Sequence, residues 1–272
     1  MGRGRANVAA GQLGGRMRAI ALFVVLLVAM FAAPCVAGEP RLALVIGNNA
    51  YDGGLHPLKN AVNDAELISG VLGKAGFEVV ELPDADRTTM STAVKSFRRR
   101  LAAAGPGTVG LFYFAGHGLQ IDNTNYLLAT DAPIGKPADI SRYGFEADEV
   151  LWEMLRGGAD TNILILDACR PNDVAKALRP VANKGLSVFD ARAVDPDRSV
   201  LIAYSTGLGE NAADGDDGNS PYARALAENI LIPDLSLDEL FLNVRLRMKS
   251  SGQKPWESGA MMRKFAFIGE PR

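Results

Sequence analysis

Two apolar runs that end abruptly in reactive side chains do most to constrain the fold of this 272-residue chain. The run at 163–166 is typical of a short buried strand, and it leads directly into Asp-Ala-Cys-Arg at 167–170. A second predicted strand, at 109–114, leads into Ala-Gly-His-Gly at 115–118. Because parallel strands of an open α/β sheet deliver their carboxyl ends to one edge, a cysteine and a histidine are expected to meet there. Such a pair is typical of nucleophilic catalysis.

Strand-like and helix-like segments alternate along the rest of the chain. Short apolar runs predict strands, and apolar residues spaced three and four apart predict helices. The predicted strands are 42–46, 77–82, 126–129, 200–204 and a closing strand at 264–268, and the predicted helices are 60–75, 88–104, 147–155, 221–230 and 237–248. This alternation predicts an α/β fold with a mainly parallel six-stranded sheet and helices on both faces.

Residues 1–37 are predicted to be a signal peptide. Residues 1–18 carry four arginines and no acid, and the apolar run that follows, 19–33, is shorter than the about 20 residues that a spanning helix needs. Small residues at 35–37 favour cleavage before Gly38, so the mature protein is expected to be exported, periplasmic or secreted. Two alternatives stay open: an uncleaved anchor, and a lipoprotein acylated at Cys35, which the preceding proline disfavours.

Cleavage would leave Cys169 as the one cysteine of the mature chain. An exported protein enters an oxidising compartment where cysteines are usually paired, yet Cys169 would have no internal partner. A lone cysteine of this kind is either a buried apolar side chain or a reactive thiol. Its position after a strand end, beside Asp167 and with His117 after a similar strand, favours the reactive thiol.

The residues around these two strand ends resemble the signatures of the caspase-like cysteine peptidases, of which caspases and metacaspases are the best-known branches. Tyr-Phe-Ala-Gly-His-Gly at 113–118 is similar to their His-Gly motif, and the cysteine of 167–170 follows that histidine by 52 residues. The segments 44–51 and 254–258 resemble the opening strand and the tail of bacterial members. The resemblance covers residues 41–269 and implies the caspase-like fold.

The same resemblance implies two portions of one sheet: a large portion, 38–170, which ends just past the cysteine, and a small portion, 199–272. Composition independently marks 171–198 as a linker, because Pro, Gly, Asp and basic residues replace the apolar periodicity there. In the family this linker is often cleaved on activation. The five basic residues of the segment are either self-cleavage points or parts of a solubilising loop: Lys176, Arg179, Lys184, Arg192 and Arg198.

Catalytic roles are also implied by the resemblance. Cys169 would be the nucleophile and His117 the acid and base, since a neighbouring imidazole raises the thiolate fraction and can later protonate the leaving amine. The backbone N–H groups of Gly118 and Cys169 would stabilise the oxyanion. The alternative for His117 is a hydrogen-bonded structural histidine at a strand end. The other histidine, His56, precedes a proline in a loop and carries no predicted function.

The substrate pocket departs from the caspase pattern. Caspases hold an aspartate side chain with a Gln two residues before the cysteine and an Arg in the first loop, but Asp167 and Leu58 stand at about these positions here. Metacaspases are similar to this chain, with acids at the positions of Asp167 and Asp64. Two carboxylates attract a guanidinium or ammonium group, so cleavage after Arg or Lys is predicted. The alternative for Asp64 is that it caps its helix or pairs within it, and Ala115 replaces a polar pocket residue of some metacaspases.

No cofactor or metal site is predicted, although calcium activation stays open. The glycine pattern at 207–212 lacks the helix that a dinucleotide fingerprint requires, and Gly218 occupies a ligand position of the EF-hand template in the acidic loop 214–218. That loop is expected to border the substrate cleft. A formal net charge of −2 implies no nucleic-acid surface. The predicted partner is a protein or peptide substrate, with no membrane contact beyond the signal segment and the oligomeric state open.

We therefore predict an exported caspase-like cysteine endopeptidase. Two other classes stay open. A catalytically silent caspase-fold interaction module would keep the core, although the joint presence of His117, Cys169, Asp64 and Asp167 speaks against it. An acyl-transfer or ester-cleaving hydrolase could use the same pair of residues, and a panel of peptide and ester substrates would distinguish it from a peptidase.

Overall fold

A mixed sheet forms the centre of the protein in the computed structural model, which describes residues 38–121, 124–169, 197–207, 215 and 217–271. Its strands are β1 Arg41–Gly47, β2 Glu78–Pro83, β3 Val109–Ile121, β4 Thr124–Leu127, β5 Phe145–Glu146, β6 Thr161–Cys169, β7 Ser199–Tyr204 and β8 Trp256–Ala260. The main path runs β2-β1-β3-β6-β7-β8. Its first five strands are parallel and β8 is antiparallel to β7, which confirms the predicted mainly parallel sheet.

Helices cover both faces of this sheet, as the alternating pattern predicts. They are α1 Ala61–Lys74, α2 Arg87–Ala104, α3 Pro137–Tyr143, α4 Ala147–Arg156, α5 Pro221–Ile230 and α6 Leu237–Met248, with a short 3-10 turn at Lys249–Ser251. Helices α1, α5 and α6 bury their apolar sides against one face, and α2 and α4 against the other. The start of α6 carries the capping box that the sequence predicts, in which Ser236 and Glu239 exchange hydrogen bonds.

The strand of His117 is longer than predicted. It does not end at Phe114 but continues through His117 to Ile121, because β4 pairs antiparallel with its last four residues from Gly118 onward. The short strand predicted at 126–129 is present as β4, begins two residues earlier than predicted, and pairs with the end of β3. A third apolar cluster, which includes Tyr51, Leu119 and Tyr126, lies around this hairpin.

The prediction of a closing strand at 264–268 is wrong. The sheet is closed instead by β8, where Trp256 pairs with Tyr204 and their rings stack with centroids 4.5 Å apart. Residues 265–267 make only an isolated bridge to Ser236, and Phe265 packs under the guanidinium of Arg41. Alternating phenylalanines thus fill the end of the core without forming a ladder.

The predicted signal peptide at 1–37 and residues 170–196, which make up most of the predicted linker, lie outside the described residues. The division into large and small portions stays a prediction. Among the residues that the structure describes, no helix has the length and apolar character needed to cross a bilayer.

Candidate active site

His117 and Cys169 are register partners at the carboxyl edge of the parallel sheet. The ladder between β3 and β6 starts at Val109 opposite Thr161 and continues without interruption to His117 opposite Cys169. The two backbones are therefore neighbours at this position, at the ordinary strand spacing of about 4.8 Å. The register follows from the sequence, because each reactive residue lies the same distance along its strand.

The imidazole of His117 is buried and held by the loop between β1 and α1. Only 5% of His117 is exposed. Its Nε2 atom lies 2.7 Å from the backbone carbonyl oxygen of His56, and its backbone N–H donates to the Tyr51 hydroxyl at 2.8 Å. A carbonyl oxygen only accepts hydrogen bonds, so Nε2 carries the proton in this contact and Nδ1 is the basic nitrogen. His56, for which no function is predicted, thus acts through its backbone.

Two buried carboxylates lie on the face of the sheet that α1, α5 and α6 cover. Asp64, in the first turn of α1, is 2% exposed, and Asp167, two residues before Cys169 in β6, is 6% exposed. Ser220 joins them: its backbone N–H donates to Asp64 Oδ1 at 2.8 Å, and its hydroxyl donates to Asp167 Oδ2 at 2.7 Å. The sequence predicts that these acids share one site, and the structure brings them together through Ser220. Asp64 lies in the first turn of α1, whose N-cap residue is Asn60.

The charge of this pair of carboxyl groups depends on pH near neutrality. Burial, followed by the nearby charge of Asp167, raises the pKa of Asp64 to about 7, although hydrogen bonds from Asn219 and Ser220 act in the opposite direction. Burial and then Asp167 raise the pKa of Tyr113 well above its ordinary value, so its hydroxyl stays a neutral donor to Asp167 Oδ2 at 3.2 Å. The Asp64 carboxyl group is therefore protonated below about pH 7.

The loop before α5 is joined by hydrogen bonds to Asp64 and to the start of α1, and sequence analysis missed the residues that form these bonds. Asn60 donates to the carbonyl of Gly215 at 2.8 Å, and Asn63 donates to that of Gly218 at 2.9 Å. Asn219 then donates to Asp64 Oδ1 at 2.9 Å. The described residues of the loop that was expected to border the cleft thus lie against the first turn of α1.

Ser220 could have been recognised from sequence only in its other role. A serine followed by proline is a typical helix start, and the Ser220 hydroxyl accepts from the N–H of Ala223 at 3.0 Å as the α5 cap. Its bond to Asp167 depends on tertiary structure. Ala115, the register partner of Asp167, has no polar group, and the Ser220 hydroxyl supplies one beside that carboxylate.

Two further residues named in the sequence analysis, Gly118 and Leu58, lie near the ends of β3 and β1. Gly118 is buried directly after His117 in β3. Leu58, at about the position of the caspase arginine, is partly buried against the apolar clusters. In the part of the chain that the structure describes, no three His, Cys, Asp or Glu side chains are grouped as a metal site would require. Calcium activation stays a prediction.

Comparison with known proteins adds a family and a fold. Residues 40–267 match the sequence profile of peptidase C14, described as the caspase domain. A crystal structure of a protein from Geobacter sulfurreducens superposes with a TM-score of 0.59 at 18% identity, covering 86% of this chain and 95% of that chain. This likeness supports the fold.

Two curated relatives match about half of the chain. They are the mucosa-associated lymphoid tissue lymphoma translocation protein 1 of Homo sapiens and its homolog in Mus musculus, each 31% identical, over 157 and 162 residues. The matches cover 53% and 54% of this chain but only 18% of each relative. The chain thus corresponds to a minor part of these larger proteins.

Proposed function

The chain belongs to the caspase-domain family of peptidases, and from this we propose that it is a cysteine endopeptidase that cleaves after Arg or Lys. Family membership supports a protease-type function. The specificity rests on one observation: Ser220 donates hydrogen bonds to two buried carboxylates, Asp64 and Asp167, and Asp167 lies two residues before the candidate nucleophile. A buried acidic pocket of this kind binds a cationic side chain and disfavours an acidic one.

The chemistry follows from the register and from the orientation of His117. The Cys169 thiol transfers its proton to Nδ1 of His117, and the thiolate attacks the peptide carbonyl carbon. Backbone N–H groups of Gly118 and Cys169 stabilise the tetrahedral oxyanion. The C–N bond breaks as the imidazolium gives its proton to the leaving amine, which leaves a thioester. Water then hydrolyses the thioester, with His117 accepting the proton from water and Cys169 leaving as thiol.

A panel of fluorogenic peptides that differ only at the residue before the scissile bond tests this proposal. We expect the purified protein to hydrolyse peptides ending in Arg or Lys, with at least 100-fold lower kcat/KM for the matched Asp peptide. Cys169→Ala removes the nucleophile and should abolish turnover. Preference for Asp would contradict the pocket assignment, and no turnover by folded protein, with and without calcium, would favour a silent interaction module.

The pH dependence of KM provides an independent prediction. The pKa of Asp64 is raised to about 7, so the pocket has one more negative charge above this pH than below it. We expect KM for an Arg peptide to rise as pH falls below 7, by up to about tenfold per pH unit. The matched citrulline peptide is a neutral isostere of the Arg peptide. Its KM should stay nearly constant between pH 5.5 and 8.5, and parallel changes in the two KM values would contradict this role of Asp64.

The proposal includes an exported location, supported by the arginine-rich, acid-free start and apolar run of residues 1–37. It also retains self-cleavage in the linker after a basic residue. Of the five candidate cleavage points, Arg198 is described, and its guanidinium donates to the backbone carbonyl of Leu155. This bond would have to break before Arg198 could enter the acidic pocket, which favours the other four candidates.

A further inference from the structure

We propose that Tyr51 is a positioning residue for His117, holding the catalytic strand in place through its hydroxyl group and the imidazole through its ring. This inference rests on the proposed function and deepens it. Tyr51 lies in the loop after β1, 66 residues before His117, and contacts it through both its hydroxyl and its ring.

One edge of β3 pairs with β6, and the other edge pairs first with β1 and then with β4. Between β1 and β4, at Gly116 and His117, this second edge is paired with neither strand. β1 pairs with β3 only as far as Ala115, and β4 begins to pair at Gly118. The N–H of His117 lies within this gap and donates to the Tyr51 hydroxyl at 2.8 Å. That hydroxyl in turn donates to the carbonyl oxygen of Leu128 at 3.3 Å, and the N–H of Leu128 donates to the carbonyl oxygen of His117 at 3.0 Å. The tyrosine hydroxyl thus takes the place of a strand partner.

The ring of Tyr51 also contacts the catalytic side chain. Its centroid lies 4.5 Å from that of the imidazole, with the planes tilted by 54°. Tyr51 is 5% exposed, so its hydroxyl and ring are both held in a buried position. The imidazole is thereby confined between the Tyr51 ring and the His56 carbonyl that accepts from Nε2.

Gly116 shows how closely the hydroxyl is fitted to the strand. A Cβ atom added at position 116 would lie 2.6 Å from the Tyr51 hydroxyl oxygen, which is closer than van der Waals contact allows. The glycine before the catalytic histidine therefore provides the space that the tyrosine hydroxyl occupies. This explains a residue of the Ala-Gly-His-Gly motif that the catalytic chemistry itself does not require.

The loop that carries Tyr51 is fixed to the segment after β4. The N–H of Asp52 donates to the carbonyl of Thr130 at 3.1 Å, and the N–H of Ile134 donates to the carbonyl of Gly53 at 2.9 Å. A Cβ at Gly53 would lie 1.9 Å from the Ala132 carbonyl oxygen, so the two segments are in direct backbone contact. A rigid support of this kind is what a positioning residue requires.

Tyr51→Phe tests the hydroxyl alone, because it keeps the ring. We expect kcat for an Arg peptide to fall about 10- to 100-fold while KM changes less than about twofold, since the acidic pocket is untouched. We also expect the pH midpoint for iodoacetamide alkylation of Cys169, followed by mass spectrometry, to move towards the value of about 8.5 of a free thiol. Tyr143→Phe is the matched control, because Tyr143 packs against the same apolar cluster and should leave both readouts unchanged.

Unchanged kcat and an unchanged alkylation profile in folded Tyr51→Phe would overturn the inference, and so would equal losses in Tyr143→Phe. The alkylation readout also separates this inference from the proposed function. If the wild type hydrolyses no peptide but its alkylation midpoint is low and Tyr51→Phe raises it, the peptidase proposal fails and the positioning role stands. If Tyr51→Phe does not fold, hydrogen exchange of the His117 amide in the wild type is the second measurement: protection of this amide is expected, and exchange at the rate of an exposed amide would overturn the inference.

Discussion

Replacing Asp167 by Asn is expected to lower kcat/KM for peptides ending in Arg by about 10²- to 10³-fold. The substitution leaves an oxygen that can accept from Ser220 and Tyr113, but it removes one of the two buried charges that would pair with the guanidinium. A cation held in a desolvated site loses about 3–4 kcal/mol when its partner is neutralised, and at about 1.4 kcal/mol per tenfold this energy corresponds to that loss in rate. The measurement is steady-state hydrolysis at pH 8, where Asp64 is ionised.

The ratio of kcat/KM for the Arg peptide to that for its citrulline analogue isolates the charge effect. In the wild type this ratio should be large, and in Asp167→Asn it should fall by about 10²- to 10³-fold, because citrulline keeps the shape of arginine without its charge and only the charge of Asp64 remains to favour the Arg peptide. Asp148→Asn makes the same chemical change at a half-buried acid in α4 and should leave the ratio unchanged. A ratio that stays as high in Asp167→Asn as in the wild type would show that the cationic side chain before the scissile bond does not contact this carboxylate.

The architecture was predictable because its signals are local and repeated. Each buried strand is an apolar run of four to six residues, and each main helix has an apolar stripe with a start signal, as at Ser236. The predicted closing strand at 264–268 fails for the same reason. Alternating phenylalanines satisfy the strand pattern, but their burial under Arg41 needs no ladder, and only tertiary packing distinguishes the two cases.

The candidate site could be predicted only where its residues follow an apolar run or lie in the first turn of a helix. His117, Cys169 and Asp167 follow apolar runs directly, and Asp64 lies in the first turn of a helix, so their residue types and positions are informative. Ser220 is different, because its role depends on how α5 meets α1 across 156 residues of sequence. No local pattern in the sequence encodes that distance.

The two groups that hold His117, a backbone carbonyl and a tyrosine hydroxyl, could not be predicted from the sequence either. The His56 carbonyl orients His117, yet any residue at position 56 would provide a carbonyl. The residue type at position 56 therefore gives no indication of this contact. Tyr51 acts through a hydroxyl inserted where β3 changes partners, and this gap exists only because β1 ends and β4 begins on either side of it. Both contacts arise from topology rather than from motif.

Between pH 5 and pH 8 the free energy of unfolding of the ligand-free wild type is expected to fall by about 2–3 kcal/mol more than that of Asp64→Asn. The pKa of Asp64 rises from 3.8 in the unfolded chain to about 7 in the folded protein, so the folded state binds an extra proton between these values. Wild-type stability contributed by this proton is complete below pH 3.8 and is lost as pH rises through 7. Asparagine does not titrate, so the variant lacks this loss, while it still accepts from Asn219 and Ser220.

Urea unfolding at pH 5 and pH 8 measures this difference directly. Asp52→Asn, at an exposed position outside the pocket, is the control and should follow the wild type at both pH values. Equal loss of stability in wild type and Asp64→Asn between pH 5 and 8 would show that Asp64 is already ionised at pH 5. The gain in stability should coincide with lost cleavage after Arg, because the like charges that destabilise the empty pocket are those that would bind the substrate cation.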